Sequence, residues 1–167
     1  PPVVYGPGDR ETLRFFQLAR NRIVPLLGPR AARAALIHVQ DLARLLVALA
    51  GSRPTGAVLS VSDARPEGYS WREIFSAAAQ AVGNPGARFV QAPRPLLQVV
   101  AWGGDVGRML GMATMLNSHK LREALHLDWS VAAAERAAPA GWQPRFGLET
   151  GFADTVAWYR TAGWLPA

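Results

Sequence analysis

Over residues 1–62 the chain alternates short apolar runs with helical periodicity, and beyond that point it does not. This change of pattern constrains the fold most, because strands alternating with helices imply an α/β sheet. Pro2-Val3-Val4-Tyr5 is apolar and β-branched, and Gly6-Pro7-Gly8 breaks it, so it reads as the end of a buried strand. Asp9 suits the cap of a following helix whose Leu13, Phe16 and Ala19 share one face and which fades by Asn21. Ile23 to Leu27 and Ala34 to Val39 read as two more short strands. From Gln40 the pattern is helical, with Leu42, Leu45, Leu46 and Leu49 at i, i+3, i+4 and i+7 and Gly51 as the stop. Val58 to Val61 reads as a further strand after the Pro54-Thr55-Gly56 turn.

The rest is mostly helical. Ser70-Trp71-Arg72-Glu73 has the spacing of a capping box and opens a helix through Ile74, Ala78 and Ala81 to Gly83. Asn84-Pro85-Gly86 is a turn, and Arg88 to Val90 one more short strand. Further helices are expected from Pro95 to about Met112, Ser118 to about Leu125, Ser130 to Ala137 and Leu148 to Ala162. Phe152, Val156 and Tyr159 recur at helical spacing and, with Trp142, Trp158 and Trp164, read as a C-terminal core.

Composition narrows the chemistry. There is no cysteine among the 167 residues, which excludes disulfides, thiolate metal sites and a cysteine nucleophile. The longest plausible apolar run, Leu96 to Trp102, is far below the roughly 20 residues of a membrane span. A cytoplasmic protein with no membrane partner is the expectation, and the N-terminus resembles neither a signal nor a transit peptide. The formal charge is +6, but Lys120 is the only lysine and the arginines are scattered, eight of them within residues 1–60. A basic nucleic-acid-binding module is one reading of this charge; a solvated arginine face is preferred, and nucleic acid is not an expected partner.

No catalytic set stands out. His119 and His126 are two helical turns apart, about 10 Å of rise, too far for one metal ion, so no metal site is expected. Gly-x-Ser-x-Gly and His-Glu-x-x-His are both absent. Gly104, Gly107 and Gly111 form a glycine ladder, but its spacing is not a dinucleotide fingerprint; it reads as a small-residue helix face.

Four segments, in order, resemble the later half of extended short-chain dehydrogenases/reductases, the NAD-dependent epimerase/dehydratase family. They are Pro1-Pro2-Val3-Val4-Tyr5-Gly6-Pro7-Gly8-Asp9, Leu36-Ile37-His38-Val39-Gln40-Asp41-Leu42-Ala43, Val58 to Asp63 with Ser70-Trp71-Arg72-Glu73, and Gly141-Trp142-Gln143-Pro144 through Trp164-Leu165. The resemblance implies an α/β chain (α+β as a fragment): residues 1–62 are the last strands of a Rossmann-type sheet with interleaved helices. Residues 63–167 are then a mostly helical substrate-binding subdomain. The family's glycine-rich turn is missing, and so is its Tyr-x-x-x-Lys pair, since the residue four before Lys120 is Leu116. In the family that tyrosine is the acid/base, the lysine lowers its pKa, and the cofactor carries hydride. The expectation is therefore a C-terminal portion without catalytic residues, inactive alone, of an NAD(P)-dependent epimerase, dehydratase or reductase.

The resemblance also places ligand contacts. Pro1, Pro2 and Val3 would wall the nicotinamide of NAD or NADP in the full-length protein, with none bound by this chain alone. Val4, Arg33 and His38 would face a small substrate, a sugar nucleotide or another hydroxyl or carbonyl compound. Sugar-nucleotide members often carry an arginine four residues before the histidine; here that position is Ala34, and Arg33 is one residue off, on the opposite strand face. His38 and Asp41 read mainly as a structural pair, with Asp41 capping the helix from Leu42. Without the N-terminal half as partner, Val3, Val4 and Val58 to Val61 would leave apolar surface, and self-association is expected. The alternative is a non-catalytic nicotinamide-nucleotide-binding member of the superfamily in a larger assembly.

Overall fold

The computed structural model describes residues 3–51, 56, 58–109, 118–132 and 141–166. Three small sheets organise them. β1 (Val3–Tyr5) pairs in parallel with β4 (Leu36–His38); β2 (Ile23–Leu26) pairs in parallel with β6 (Arg88–Gln91). In the third, β3 (Arg33–Ala34) lies between β5 (Tyr69–Ser70), antiparallel to it, and β7 (Asp128–Trp129), parallel to it.

The expected strand over 34–39 is thus two strands in two sheets, and Ala35 is the corner. Its N–H donates to the Trp129 carbonyl at 3.0 Å, while its own carbonyl accepts from Val3 at 3.3 Å. Gly68 makes the corner possible: its φ is +77°, and a Cβ there would sit 2.6 Å from the Ala34 carbonyl carbon.

Helix α1 (Arg10–Ala19) starts where expected: the Asp9 carboxylate accepts from the amides of Glu11 and Thr12 at 2.8 and 3.3 Å. The capping box of α3 (Trp71–Ala81) is complete: Ser70 Oγ accepts from Glu73 N at 3.2 Å, and Glu73 Oε2 accepts from Ser70 N at 2.8 Å. Helices α4 (Arg94–Met109), α5 (Ser118–Leu125) and α6 (Leu148–Thr161) also match their sequence patterns. Gly104 and Gly107 lie within α4, as a helix face and not a phosphate turn; Gly111 lies outside the described residues. Among the described residues no helix is long and apolar enough to cross a membrane.

Three further expectations fail. Helix α2 (Val39–Ala50) begins earlier than Leu42, with His38 as its cap, so Asp41 lies inside the first turn and does not cap it. Val58 to Val61 is not a strand: Ser60 forms a single bridge, and Val58 is 91% exposed. The stretch is apolar enough for a strand, but residues 58, 59 and 61 are not in strand conformation; beside β4, Asp63 N reaches the Leu36 carbonyl at 2.8 Å. Residues 130–132 are not helical either. The Asp128 carboxylate takes the Ser130 amide at 2.9 Å, and Val131 N donates to the Pro66 carbonyl, bonds that compete with a helix. Residues 133–137 of that expected helix, and the Pro54-Thr55 part of the turn, lie outside the described residues.

The main core joins α1, α3 and α6 around Tyr5, Phe16, Ile74, Phe152, Val156 and Tyr159. Phe152 meets Tyr5 and Phe16 edge-on, each at 5.0 Å, and Tyr159 stacks on Trp164. A second, smaller cluster holds Ile37, Leu45 and Val61 between the β1–β4 pair and α2.

Candidate functional site

In a parallel pair, ligands meet the protein at the carboxyl ends of the strands. Here that end is Tyr5, Gly6 and the loop to Asp9, beside His38 and the first turn of α2. Gly6 has φ +142°, and a Cβ on it would lie 2.6 Å from Val39 Cγ1 and 3.1 Å from His38 Nε2. The loop therefore lies directly on the histidine.

His38 is fully buried. Its ring stacks on Phe146 with centroids 4.0 Å apart and meets Tyr5 edge-on at 5.4 Å. Nδ1 accepts from Gln40 N at 3.4 Å, which leaves Nε2 to carry the proton of the neutral ring. Nε2 lies 3.3 Å from Asp154 Oδ2, close but not aligned as a hydrogen bond. Burial lowers the His38 pKa, outweighing the raising fields of Asp154 and Asp41, so the ring is neutral at pH 7. The histidine caps a helix and supports the loop.

Asp41 is not its partner. The buried carboxylate accepts from Arg145 N at 3.1 and 2.9 Å, from Phe146 N at 2.9 Å and from Arg44 at 2.8 Å. Arg44 also donates to the Gln143 carbonyl at 2.7 Å, so the pair fastens the lead-in of α6 to α2. Gly151 completes the junction: a Cβ there would stand 2.9 Å from Tyr5 Cζ, so only glycine lets the Tyr5 ring against α6.

The nominated residues are only partly brought together. Val3 and Val4 sit on β1 next to β4 and His38, Val3 half-exposed and Val4 against the Ile37–Leu45 cluster. Arg33 belongs to the other sheet and points out of it, 3.4 Å from Glu73, while Ala34 is buried. Pro1 and Pro2 lie outside the described residues.

What the arrangement can do is bounded by its acids and bases. Burial pushes Tyr5 and Tyr69 well above the ordinary phenol range, with Asp63 adding to it; burial also raises Tyr159. None is a tyrosine poised to give up its proton. Among the described residues no three His, Cys, Asp or Glu side chains are grouped to hold a metal ion. The helix start behind the Gly6-Pro7-Gly8 loop is taken up by the Asp9 carboxylate, which accepts from the amides of Glu11 and Thr12. Concavities among the described residues lie elsewhere. One is an open cleft of about 650 Å³ beside α3 and the start of α6, lined by Arg65, Tyr69, Glu73 and Arg145. Another is a shallow pocket of about 230 Å³ formed by His119, Arg122, His126 and Trp129. Glu73, held by Ser70 and then by Arg65, is pulled down to about 2 and stays ionised.

Sequence reasoning missed Asp154, Gly151, Phe146 and the cleft arginines Arg65 and Arg145. Asp154 and Gly151 are three apart on a helix the sequence does show, but nothing local says which strand that helix meets.

No family model matches the chain. It is 41% identical over 168 aligned residues to the ceramide reductase of Caulobacter vibrioides, covering 99% of this chain and 51% of that protein. The chain therefore spans about half the length of the curated relative it matches. Among solved structures it is similar to DesIV, a dTDP-glucose 4,6-dehydratase from Streptomyces venezuelae with NAD and TYD bound. The TM-score there is 0.60 at 20% identity, over 99% of this chain and 44% of that one. MoeE5 in complex with UDP-glucose and NAD gives a TM-score of 0.60 at 22% identity, over 96% and 46%.

Proposed function

We propose that this chain, whose fold is that of the C-terminal part of NAD-dependent epimerase/dehydratase structures, supplies the substrate-binding portion of an NAD(P)-dependent reductase. Residues 1–62 complete the Rossmann-type sheet in this reading, and residues 63–167 form the substrate subdomain. The substrate class is a ceramide-like lipid whose carbonyl is reduced. The observation that carries this is the 41% identity, extending along 99% of the chain, to a ceramide reductase. Arg33 supports the choice of a lipid over a sugar nucleotide. The position four before His38 is buried Ala34, while Arg33 is turned outward onto Glu73 and is not free to clamp a phosphate.

When bound, NADPH or NADH would supply the hydride, and the acid/base pair would come from sequence preceding Pro1. This chain's part is to position: Gly6 and the loop over His38 shape the strand ends, and Val3 and Val4 offer an apolar wall beside them. The chain by itself is expected to be inactive.

Two polypeptides test this, the 167-residue chain and one extended upstream through a Tyr-x-x-x-Lys segment. The extended form is expected to oxidise NADPH or NADH in the presence of a keto-ceramide, and the short form to show no turnover. Turnover by the short form, or reaction of the long form with sugar nucleotides alone, would overturn the reading.

A further inference from the structure

Helix α5 has two unlike faces. Leu121 is buried and Leu125 partly covered, in one cluster with Leu97 and Ala101 of α4. His119, Arg122 and His126 recur at i, i+3 and i+7, along the helix and just past its end, on a different face that stays exposed. Strand β7 follows at once and is fixed by its pairing with β3, where Arg33 N donates to the Leu127 carbonyl at 2.9 Å. This stands the half-exposed Trp129 ring against His126, edge-on, with centroids 4.7 Å apart. The four side chains thereby enclose the pocket of about 230 Å³.

Helix stabilisation accounts for only part of this arrangement. Arg122 lies in the last turn of α5, where the helix dipole favours a cation, and His126 follows it. His119 lies in the first turn, where the same dipole gives a basic group no advantage. The described lining contains no carboxylate. Acids on either side are already engaged. Asp105 of α4 accepts from Ser118 N at 3.2 Å and from the Ser118 hydroxyl, and Asp128 accepts from Ser130 N at 2.9 Å. Strand alternation also turns Asp128 to the face opposite Trp129. Among the described residues Arg122 has no ion pair. The larger cleft differs: Arg65 and Arg145 share it with Glu73 and Glu149, and Arg65 is held by Glu73 at 2.8 Å.

An anion is what this lining would recognise, and the spacing narrows which one. His119 and His126 are separated by about 10 Å of helix rise, too far for metal–nitrogen bonds of about 2 Å to one ion. Hydrogen bonds of about 2.8 Å to a tetrahedral group with oxygens on several sides bridge such a gap better than bonds to a flat carboxylate. The guanidinium of Arg122, between the two imidazoles, presents a fork that matches two of those oxygens. The volume lies below the roughly 300 Å³ at which pockets enclose a whole drug-sized ligand, so one end of the ligand enters. Trp129 offers its ring to whatever carries that end.

We propose that this pocket binds a phosphomonoester: Arg122 takes two phosphate oxygens, His119 and His126 donate ring N–H groups from either side, and Trp129 packs on the esterified group. The site is separate from the strand ends of β1 and β4 and does not depend on the reductase reading.

The test uses the 167-residue chain, whose three histidines give three sets of ring carbon–proton signals in NMR. Buried His38 is the internal control. Inorganic phosphate, phenyl phosphate and benzoate are titrated at constant pH and ionic strength. The His119 and His126 signals are expected to shift saturably with both phosphates, more weakly with benzoate, and the His38 signal to stay still. Arg122→Gln should weaken phosphate binding about ten- to a hundredfold, the loss of a charged hydrogen-bonding partner. Trp129→Leu should weaken phenyl phosphate and leave inorganic phosphate unchanged. An unmoved His38 signal reports that each variant is folded; should Arg122→Gln unfold, the exposed His119→Gln and the wild-type titrations decide. Phosphatidylcholine vesicles with and without phosphatidic acid separate the sources of the group. Sedimentation with phosphatidic acid that phenyl phosphate competes away puts it on a lipid; binding of phenyl phosphate without sedimentation puts it on a soluble compound. Shifts that do not saturate, that benzoate matches, or that persist with unchanged affinity in folded Arg122→Gln overturn the proposal.

Discussion

The two sides of the β1–β4 pair differ in how far they are finished. Toward α6, Tyr5, Phe16, Phe152, Val156 and Tyr159 are all nearly inaccessible, and the aromatic rings among them meet edge-on. Toward α2, a thin cluster of Ile37, Leu45 and Val61 is bordered by exposed Val3, Val39, Leu46, Val47, Val58 and Leu59. Of the apolar residues the α2 pattern offers, Leu45 is buried, Leu42 and Leu49 are partly covered and Leu46 is out in water. The contrast teaches where the chain closes on itself: one face is a core, and the other is shaped like half of one.

The comparison can be broken by substitution. Phe152→Ala, in the closed side, is expected to cost about 3–5 kcal/mol in urea unfolding, because its two ring contacts vanish into a cavity the packed helices cannot fill. Leu45→Ala, on the open side, should cost about 2 kcal/mol, the low end for such a change, since neighbours and water can enter the space. Equal losses at the two positions would mean that the α2 side is as complete as the other.

Asp41→Ala tests the fastening between α2 and the lead-in of α6. It strands two amides and a guanidinium, and a loss of about 2–3 kcal/mol is expected. Amide exchange at Arg145 and Phe146 should accelerate with it; protection retained there would remove Asp41 from this role. The next effect depends on pH. Burial lowers the His38 pKa relative to the unfolded chain, so the unfolded state binds the proton more readily. The stabilisation is present above the unfolded value of about 6.5 and is lost as pH falls toward the lowered folded value. Unfolding free energy measured from pH 7 down to pH 5 should decline, and His38→Gln should flatten that decline. The smallest effect is on the open face: Leu46→Glu with Val47→Ser should change stability by less than about 0.5 kcal/mol. Self-association at high concentration, followed by sedimentation velocity, should weaken in that variant; if it does not, the contact between copies lies elsewhere.

Local signals made much of the fold legible. The Asp9 cap, the Ser70–Glu73 box and the periodicity of α1, α3, α5 and α6 depend on residues within one or two turns of each other, and each was recoverable from spacing. The failures at Ala35 and Asp41 turn on distant partners. Nothing near Ala35 announces that its N–H will serve Trp129 while its carbonyl serves Val3, which is what divides one apolar run into two strands. Nothing near Asp41 announces Arg145 and Phe146, more than one hundred residues away, so the carboxylate looked like a cap. The candidate site shares this division. Its strand-end residues were nominated from motif resemblance, while Asp154, Gly151 and Phe146, which hold His38 and Tyr5 in place, entered only through packing.

The sequence by itself determined that these 167 residues contain neither the Tyr-x-x-x-Lys pair nor a cysteine, and where α1, α3, α5 and α6 run. Those properties are local, written in residue identity and in periods of two and 3.6. Only the tertiary structure decided that His38 is a neutral, buried support, that Arg33 faces Glu73, and that Trp129 joins the basic face of α5 in one pocket. Burial and charge pairing depend on which distant segments meet, and the sequence does not specify that pairwise.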